Sequence, residues 1–504
     1  MDQQFLFEPI PNDKYDSLTK EELIILHKGE QDLIRQMQAH IKELYREITK
    51  GEQKSFSLGE QLFKIKNSIF GKSSEKSKIN KNKKKKKEPK KRVRLPSERY
   101  KNLDIIEKDV EFDKVPNCPC CSSKMKDSGL FDTCEYLTFI PRKYYVVREK
   151  KHKYSCGKCY QGLITTPAIP RIIPGGAYSD EMIIDVTMTK FLDLLPIDRY
   201  TKIAEREGLE GLPANSLINT THKLADLVEP VYKIIKTEAL NEDVTHADET
   251  PHRMLEGDKT SKWYMWGFSN LKASYFDIRD TRSGDVACDL LVDAKTKYLM
   301  SDVFSGYKRA VREANENRVD KIIELNCNAH ARRKFKDSAK NFDESEYFLK
   351  VYRKIYHLED DEYCKKLTKV QKRKWQNIYM KLMQRYALKI QHQNPKKSSI
   401  QESLNYFLNN FEKLSRFVED PKLPLDNNSQ ERQLRSPVIG RKTWYGTHSK
   451  RGAKTTAIMF SIVQSCKINK INPRKYLTEL VRGIHQGVEF YSPYQFKLKN
   501  QDSK

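Results

Sequence analysis

Apolar positions recur with two different periods along the chain, and the period changes near residue 241. Upstream of this point, apolar residues repeat every three, four or seven positions, which is typical of amphipathic helices. The segment 17–70 has this period and contains no proline, so it predicts a helix that either pairs as a short coiled coil or packs on its own domain. Its apolar stripe consists of Leu23, Leu26, Leu33, Met37, Ile41, Leu44 and Ile48.

The helical period returns in residues 178–240. Within this stretch, Tyr200–Leu209 and Asn215–Leu224 are two amphipathic segments separated by a turn that contains glycine and proline. The arrangement resembles a helix-turn-helix, although many helical hairpins share it. We therefore predict a helical domain and leave open whether its second helix reads DNA.

After residue 241 short apolar runs predict strands, and helical patterning resumes from about 329. The stretch 341–418 is rich in Lys and Tyr and contains no strand signal. The predicted strands are Asp243–Ala247, Trp263–Ser269, Ala273–Arg279, Lys297–Ser301 and Ile322–Asn326.

The cysteines are concentrated between 103 and 170, where the short runs Asp109–Phe112 and Tyr144–Arg148 also predict strands. Two CxxC pairs have the spacing that lets four thiolates surround one tetrahedral Zn²⁺. Because no coordination position would stay open, such a zinc would be structural. The predicted ligands are Cys118, Cys121, Cys156 and Cys159, with Cys120 as a bystander.

Composition and charge narrow the class of protein. Hydrophobic residues make up 38% of the 504 residues and aromatic residues 10%, which is enough to build cores and excludes a wholly disordered chain. The net charge of +26 favours a polyanionic partner such as nucleic acid. The lysine-rich stretch 76–101 predicts an extended linker, which either contacts a DNA backbone or only aids solubility. We expect a cytoplasmic, nucleoid-associated protein, since no apolar stretch predicts a membrane span or signal peptide.

Three acids stand out by their positions. Asp248 and Asp302 each end a predicted strand, and Glu431 begins a predicted helix after an Asx-rich stretch. Carboxylates placed in this way can hold two divalent cations for phosphodiester chemistry, although a chain with 68 acids offers many such triples.

Arginines and lysines cluster near Glu431 and after the predicted strand Ile322–Asn326. Their density suits contacts with phosphates. We predict DNA contacts from Arg432, Arg435, Arg441, Lys442, Arg332 and Arg333. In the same region, His330 lies three residues after Cys327. The histidine could bind a metal, contact DNA or support the core, and a structural role is favoured for such a CxxH pair.

Several motifs occur in one order along nearly the whole chain: FGKSSEK, the double CxxC, FLDLLPIDRY, HADET, SDVFSGY, CNAHARRKF, LDNNSQERQLRSPVIGRKTWYGTHSKRGA and YLTELVRGI. Together they resemble the DDE transposases of the insertion-sequence-66 family, the large protein of those bacterial elements. The resemblance implies that Asp248, Asp302 and Glu431 bind Mg²⁺ or Mn²⁺ on a ribonuclease-H-like core. It assigns Cys327 and His330 a role in supporting the fold beside that site.

The resemblance also implies a multidomain α+β fold, in which an α/β catalytic core carries a helical insertion. The expected order is a coiled-coil-like helix (1–70), a basic linker (71–102), a zinc module (103–170), a helical DNA-binding domain (171–240), the first part of the core (241–340), the insertion (341–425), the last part of the core (426–470) and a C-terminal element (471–504).

The implied activity is cutting of element ends and joining of their 3′-OH groups to target DNA, in a homo-oligomer and with small accessory proteins as further partners. Two alternatives remain at this point. A zinc-containing DNA-binding regulator would use the same modules without catalysis, and a nuclease on the same fold would hydrolyse DNA without joining strands.

Overall fold

The computed structural model describes residues 95–109, 114–117, 119–125, 134–156, 158, 163–256, 262–316, 318–360, 364, 367–394 and 397–502. The predicted helix at 17–70 and most of the basic linker lie outside these residues, as does nearly all of the predicted strand Asp109–Phe112.

The described part before residue 170 is mostly irregular. It contains a short helix α1 (Pro96–Arg99) and an antiparallel pair of strands, β1 (Lys153–Ser155) and β2 (Leu163–Thr165). The prediction of a strand at Tyr144–Arg148 is wrong, because no segment among the described residues pairs with it. Its apolar side chains are exposed, so an apolar run alone was a poor guide here.

Four helices lie between residues 178 and 240, directly before the central sheet, which confirms the helical prediction for this region. They are α2 (Asp180–Phe191), α3 (Ile197–Arg206), α4 (Ala214–Leu227) and α5 (Glu229–Leu240). Helix α2 begins where the Ser179 side chain accepts a hydrogen bond from the Met182 amide, a common N-cap arrangement. Helices α3 and α4 are the predicted hairpin, and they share a small apolar cluster with α2.

Within the described residues the central sheet has five strands in the order β5-β4-β3-β6-β7. The pairs β3–β4 and β4–β5 are antiparallel, whereas β3–β6 and β6–β7 are parallel. The strands are β3 (Val244–Arg253), β4 (Lys262–Ser269), β5 (Ser274–Arg279), β6 (Tyr298–Ser301) and β7 (Ile323–Asn326).

Strand β3 is longer than the sequence predicts. It continues beyond Ala247 to Arg253, because β4 pairs with it over this whole stretch. Its other neighbour, β6, pairs with it only as far as His246. Pro251 therefore lies on a part of β3 whose edge towards β6 is open. Proline has no N–H to donate, and on this open edge no hydrogen bond of the sheet is lost. Consequently Asp248 lies within β3 and not at its end.

Helices cover both faces of the sheet and fill the long stretch between β7 and residue 425. The helices between the strands are α6 (Gly284–Leu291) and α7 (Ser305–Glu316). Those that follow β7 are α8 (Asn328–Ser338), α9 (Glu344–Glu359), α10 (Lys369–Ile390), α11 (Ser399–Asn409) and α12 (Phe411–Ser415), with a 3₁₀ turn at Arg416–Val418. The last four are α13 (Asn428–Trp444), α14 (Lys450–Ile468), α15 (Pro473–His485) and α16 (Pro493–Asp502).

Two large apolar clusters hold these layers together. The first joins the sheet to α2, α4–α7 and α13–α16. The second is formed mainly by α8–α12 and reaches the sheet through Met300 and Leu325. The result is a mixed α+β fold in which β3, β6, α8 and α13 meet where the two clusters adjoin. Over the described residues, no helix combines the length and the apolar character needed to cross a membrane.

Candidate active site

Asp248 is held on the central strand of the sheet. It lies two residues beyond His246, the last residue of β3 that pairs with β6, and opposite Gly267 on β4. One of its carboxylate oxygens accepts a hydrogen bond from the Glu249 amide at 2.9 Å. The side chain therefore emerges where β3 and β6 separate, which is the usual place for a ligand site on an open sheet.

Asp302 follows directly after β6, as the sequence predicts. Its Oδ1 accepts a hydrogen bond from the Phe304 amide at 3.1 Å, which turns the chain into α7. Because β3 and β6 are parallel neighbours, Asp302 lies beside Asp248, and its charge raises the pKa of the Asp248 carboxyl.

Glu431 reaches the same place from the first turn of α13. That helix packs against β3 and β4. Its approach depends on Gly267, because a Cβ added there would overlap the side-chain amide of Gln430. Glu431 Oε1 is buried and has no hydrogen-bond partner among the described residues.

Asn427 couples this helix to the sheet. Its Nδ2 donates to the Ala247 carbonyl at 2.8 Å, and its Oδ1 lies 2.9 Å from His246 Nδ1. Its backbone amide donates to Cys327 Sγ at 3.2 Å. Asn427 is the N-cap residue of α13, but its side chain makes no capping bond to the helix. The Asx-rich stretch thus links the Glu431 helix to the strand of Asp248, a role that the sequence analysis missed.

Burial and the neighbouring negative charges disfavour the ionised form of Asp248 when no cation is bound. Burial, followed by the charges of Glu249, Asp302 and Glu431, raises the pKa of Asp248 to about 8. Glu249 has partners of its own, because Arg282 donates to its Oε1 and the Tyr307 hydroxyl donates to its Oε2 at 2.7 Å.

Asp248 and Glu431 line one half-buried pocket, and Asp302 lies beside Asp248 on the neighbouring strand. Carboxylate oxygens are the hard donors that Mg²⁺ or Mn²⁺ prefers in proteins. The charge repulsion at Asp248 and the unpartnered Glu431 oxygen both fit a bound cation. The pocket is a cleft of about 350 Å³, lined among others by Asp248, Thr250, His330, Arg333 and Glu431.

Cys327 and His330 lie at the start of α8, immediately behind Glu431. The ligand atoms of Cys327, His330 and Glu431 all lie within 4.8 Å of one another, so they could also hold a metal ion. Cys327 is fully buried, and burial raises the pKa of its thiol to about 12, against the opposing effect of nearby backbone amides. His330 Nε2 is 3.9 Å from Glu431 Oε1.

The six predicted DNA contacts separate into two groups. Arg332, Arg333 and Arg435 line a second cleft, which also reaches Glu431. The other three, Arg432, Arg441 and Lys442, line neither this cleft nor the acidic pocket. Burial lowers the pKa of Arg441. Burial, followed by the charge of Arg441, lowers the pKa of His252 to about 4.

The predicted zinc site falls only partly within the described residues. Cys118 and Cys159 lie outside them, and Cys121 and Cys156 are exposed. Strands β1 and β2 flank the second CxxC pair. The four-cysteine site therefore stays a prediction.

Several functional neighbours of the acids escaped the sequence analysis. Arg282 occurs in a segment without a motif, and Arg353 lies in the lysine-rich helical stretch among many similar cations. Tyr307 ends the motif SDVFSGY but was given no role, and the DNN run at 426–428 was interpreted as a cap. Their roles depend on partners far away in the chain, which spacing does not reveal.

Comparisons with known proteins show which family the chain resembles. The model of the family described as "Transposase IS66 family" matches residues 175–455, which contain all three acids. Three uncharacterized proteins of Sinorhizobium fredii are also similar. The protein y4hP is 24% identical over 432 residues, covering 78% of this chain and 76% of its own. The protein y4qI is 25% identical over 85% of this chain and 82% of its own, and y4jD is 23% identical over 73% and 75%.

The family match covers more than half of the chain and includes the sheet, the acids, and helices α2 to α13 in full. This family implies a DNA-acting protein that uses divalent metal ions. Because the family model matches more than half of the chain, the chain belongs to the IS66 family of transposases.

Proposed function

We propose that this protein cuts the ends of a bacterial insertion sequence and joins the freed 3′-OH groups to target DNA. The observation that carries the proposal is that Asp302 and Glu431, from the neighbouring parallel strand and from a helix packed on the sheet, both lie close enough to Asp248 for their charges to raise its pKa. The order and directions of the five strands support a ribonuclease-H-like core.

Asp248, Asp302 and Glu431 would hold the metal. Divalent ions bound there would supply positive charge that activates the attacking oxygen and stabilises the leaving oxygen of the phosphodiester. The protein's own contribution is to fix three carboxylates in a cleft that partly excludes water. The Arg282–Tyr307 pair keeps Glu249 out of this set.

Positioning of the DNA would fall to the cations beside the pocket. Arg333 Nη2 is 3.9 Å from Glu431 Oε2, so a phosphate bound by this guanidinium would lie next to the acids. Arg332 and Arg435 extend the positive surface away from them. The four zinc cysteines and the α3–α4 hairpin remain proposed sites of structural zinc binding and of DNA recognition.

The test is cleavage and joining of DNA that carries the repeats flanking the gene, in Mg²⁺, for wild type and Asp302→Asn. We expect the substitution to lower the cleavage rate roughly 1000-fold or more, about 4 kcal/mol of activation free energy, while DNA binding is retained. Asp293→Asn, an exposed aspartate outside the pocket, is the matched control.

Each alternative corresponds to a different result. Cleavage by Asp302→Asn at the wild-type rate would refute the assignment of the acids. Binding without cleavage by wild type, with accessory proteins supplied, would identify a regulator. Metal-dependent cleavage without joining would identify a nuclease.

A further inference from the structure

A cleft of about 580 Å³ opens beside the acidic pocket, on the side of the helical stretch that follows β7. Three helices form it: α8 and α13 flank the sheet, and α9 comes from the region 341–425. We refer to it as the basic groove, defined by the lining cations Arg332, Arg333, Lys336, Arg353 and Arg435.

The groove is strongly positive and ends at the candidate active site. Its lining also includes the acids Asp360 and Glu431, so the cations outnumber the acids, and Glu431 belongs to both clefts. Four of the cations are exposed, and only Arg333 is half-buried. Arg332 and Lys336 are four residues apart, about 6 Å along α8, so they form a row and not a single point of charge.

The α9 wall of the groove is attached to the helix that carries Glu431. The hydroxyl of Tyr356 donates to Asp426 Oδ2 at 2.8 Å, just before the start of α13. The same tyrosine ring lies 6.0 Å from the Arg332 guanidinium carbon. Burial raises the pKa of Tyr356 well above its usual range, so the hydroxyl keeps its proton and the hydrogen bond. Arg353, on the preceding turn of α9, is therefore held at a defined distance from the acids.

We infer that the basic groove binds the phosphodiester backbone of a DNA strand leading to Glu431, and that Arg353 makes the helical insertion part of the substrate site. The inference rests on the proposed function and adds to it the path of the substrate. An open, elongated cleft with a row of exposed cations suits a repeating anion, and it provides no enclosed pocket for a small one.

The first measurement is the salt dependence of binding to a labelled duplex taken from the DNA flanking the gene, without divalent ions so that no cleavage occurs. Each phosphate contact that is lost should lower the slope of log K against log salt by about 0.9. We expect Arg353→Ala to lower the slope by about 0.9 and to weaken binding roughly 5-fold at moderate salt. Arg353→Lys, which keeps the charge, should retain most of the wild-type slope.

Arg385→Ala is the matched control, because Arg385 is an exposed arginine of α10 outside the groove. Circular dichroism checks that all variants fold. An unchanged slope for Arg353→Ala, or an equal fall for Arg385→Ala, would overturn the inference. Failure of the proposed function can be told apart from failure of this inference. In that case wild type would not cleave DNA in Mg²⁺, although the slope of log K against log salt would still depend on Arg353.

Discussion

The acidic pocket and the basic groove share Glu431 but are built in different ways. The pocket takes its carboxylates from the interior of β3, from the end of β6 and from the first turn of α13. The groove takes its cations from exposed faces of α8, α9 and α13. Chemistry on a phosphodiester requires carboxylates at defined positions, whereas attraction of a polyanion requires only sufficient positive charge nearby.

The supports of the two regions differ accordingly. Behind the acids lie buried hydrogen bonds between distant segments, from Asn427 to β3 and from Tyr307 to Glu249. The walls of the groove are joined by hydrogen bonds of Tyr356 to Asp426 and of Tyr352 to Asn328, but four of its five cations are exposed. We therefore expect changes around the acids to affect stability as well as activity, and changes in the groove to affect DNA affinity alone.

The largest effect on stability is expected from Asn427→Ala. The substitution leaves the buried Ala247 carbonyl and His246 Nδ1 without their partner and loosens α13 against β3. Each unsatisfied buried group costs about 1–3 kcal/mol, so the free energy of unfolding should fall by about 3 kcal/mol. Denaturant unfolding measures the change, and cleavage should fall with it because Glu431 loses its fixed position.

The control for this variant is Asn215→Ala, at an exposed position near the start of α4. It should unfold within about 0.5 kcal/mol of wild type. If Asn427→Ala were equally stable and equally active, the acidic pocket would not depend on this connection, and the contrast with the groove would lose its basis.

A smaller effect, of opposite sign, is expected from Asp248→Asn. Because the pKa of Asp248 is raised to about 8, the folded protein keeps a proton that the unfolded chain releases near pH 4. Without divalent ions, the contribution of Asp248 to the free energy of unfolding therefore falls as pH rises from about 4 to 8. Asp248→Asn removes this dependence and should be more stable than wild type at pH 8, although inactive.

Thermal unfolding at pH 4.5 and pH 8 tests this expectation, with Asp293→Asn as the control. The two proteins should have similar stability at the lower pH and differ at the higher one. Added Mg²⁺ should stabilise wild type more than the variant. A variant that is less stable than wild type at pH 8 without divalent ions would contradict the charge repulsion inferred at Asp248.

The smallest effect is expected in the groove, from Lys336→Ala. A lysine contacts a phosphate as a single point charge on a flexible stem, so its loss should weaken DNA binding by only about 0.5 kcal/mol, or two- to threefold. Unfolding should be unchanged. Lys381→Ala, an exposed lysine on α10 outside the groove, is the matched control. A stability loss comparable to that of Asn427→Ala would show that the groove, too, is part of the structural core.

Local patterning predicted most of the described elements. The five strands after residue 241 follow their apolar runs to within a few residues, and β3 exceeds its run only because β4 pairs with it further. Where no partner strand exists, as at Tyr144–Arg148, the same kind of run forms no strand. Strand formation depends on pairing, so the pattern is necessary but not sufficient.

By itself, the sequence determined the positions of most strands and helices and the order of the motifs, since these depend on residue type and short-range spacing. The resemblance carried by those motifs, and not spacing, singled out the three acids. The tertiary structure decided which side chains meet: Asn427 with β3, Gln430 with Gly267, and Arg353 with the cations of α8 and α13. These contacts join segments far apart in the chain. They follow from how sheet and helices pack in three dimensions, and no periodicity along the sequence encodes that packing.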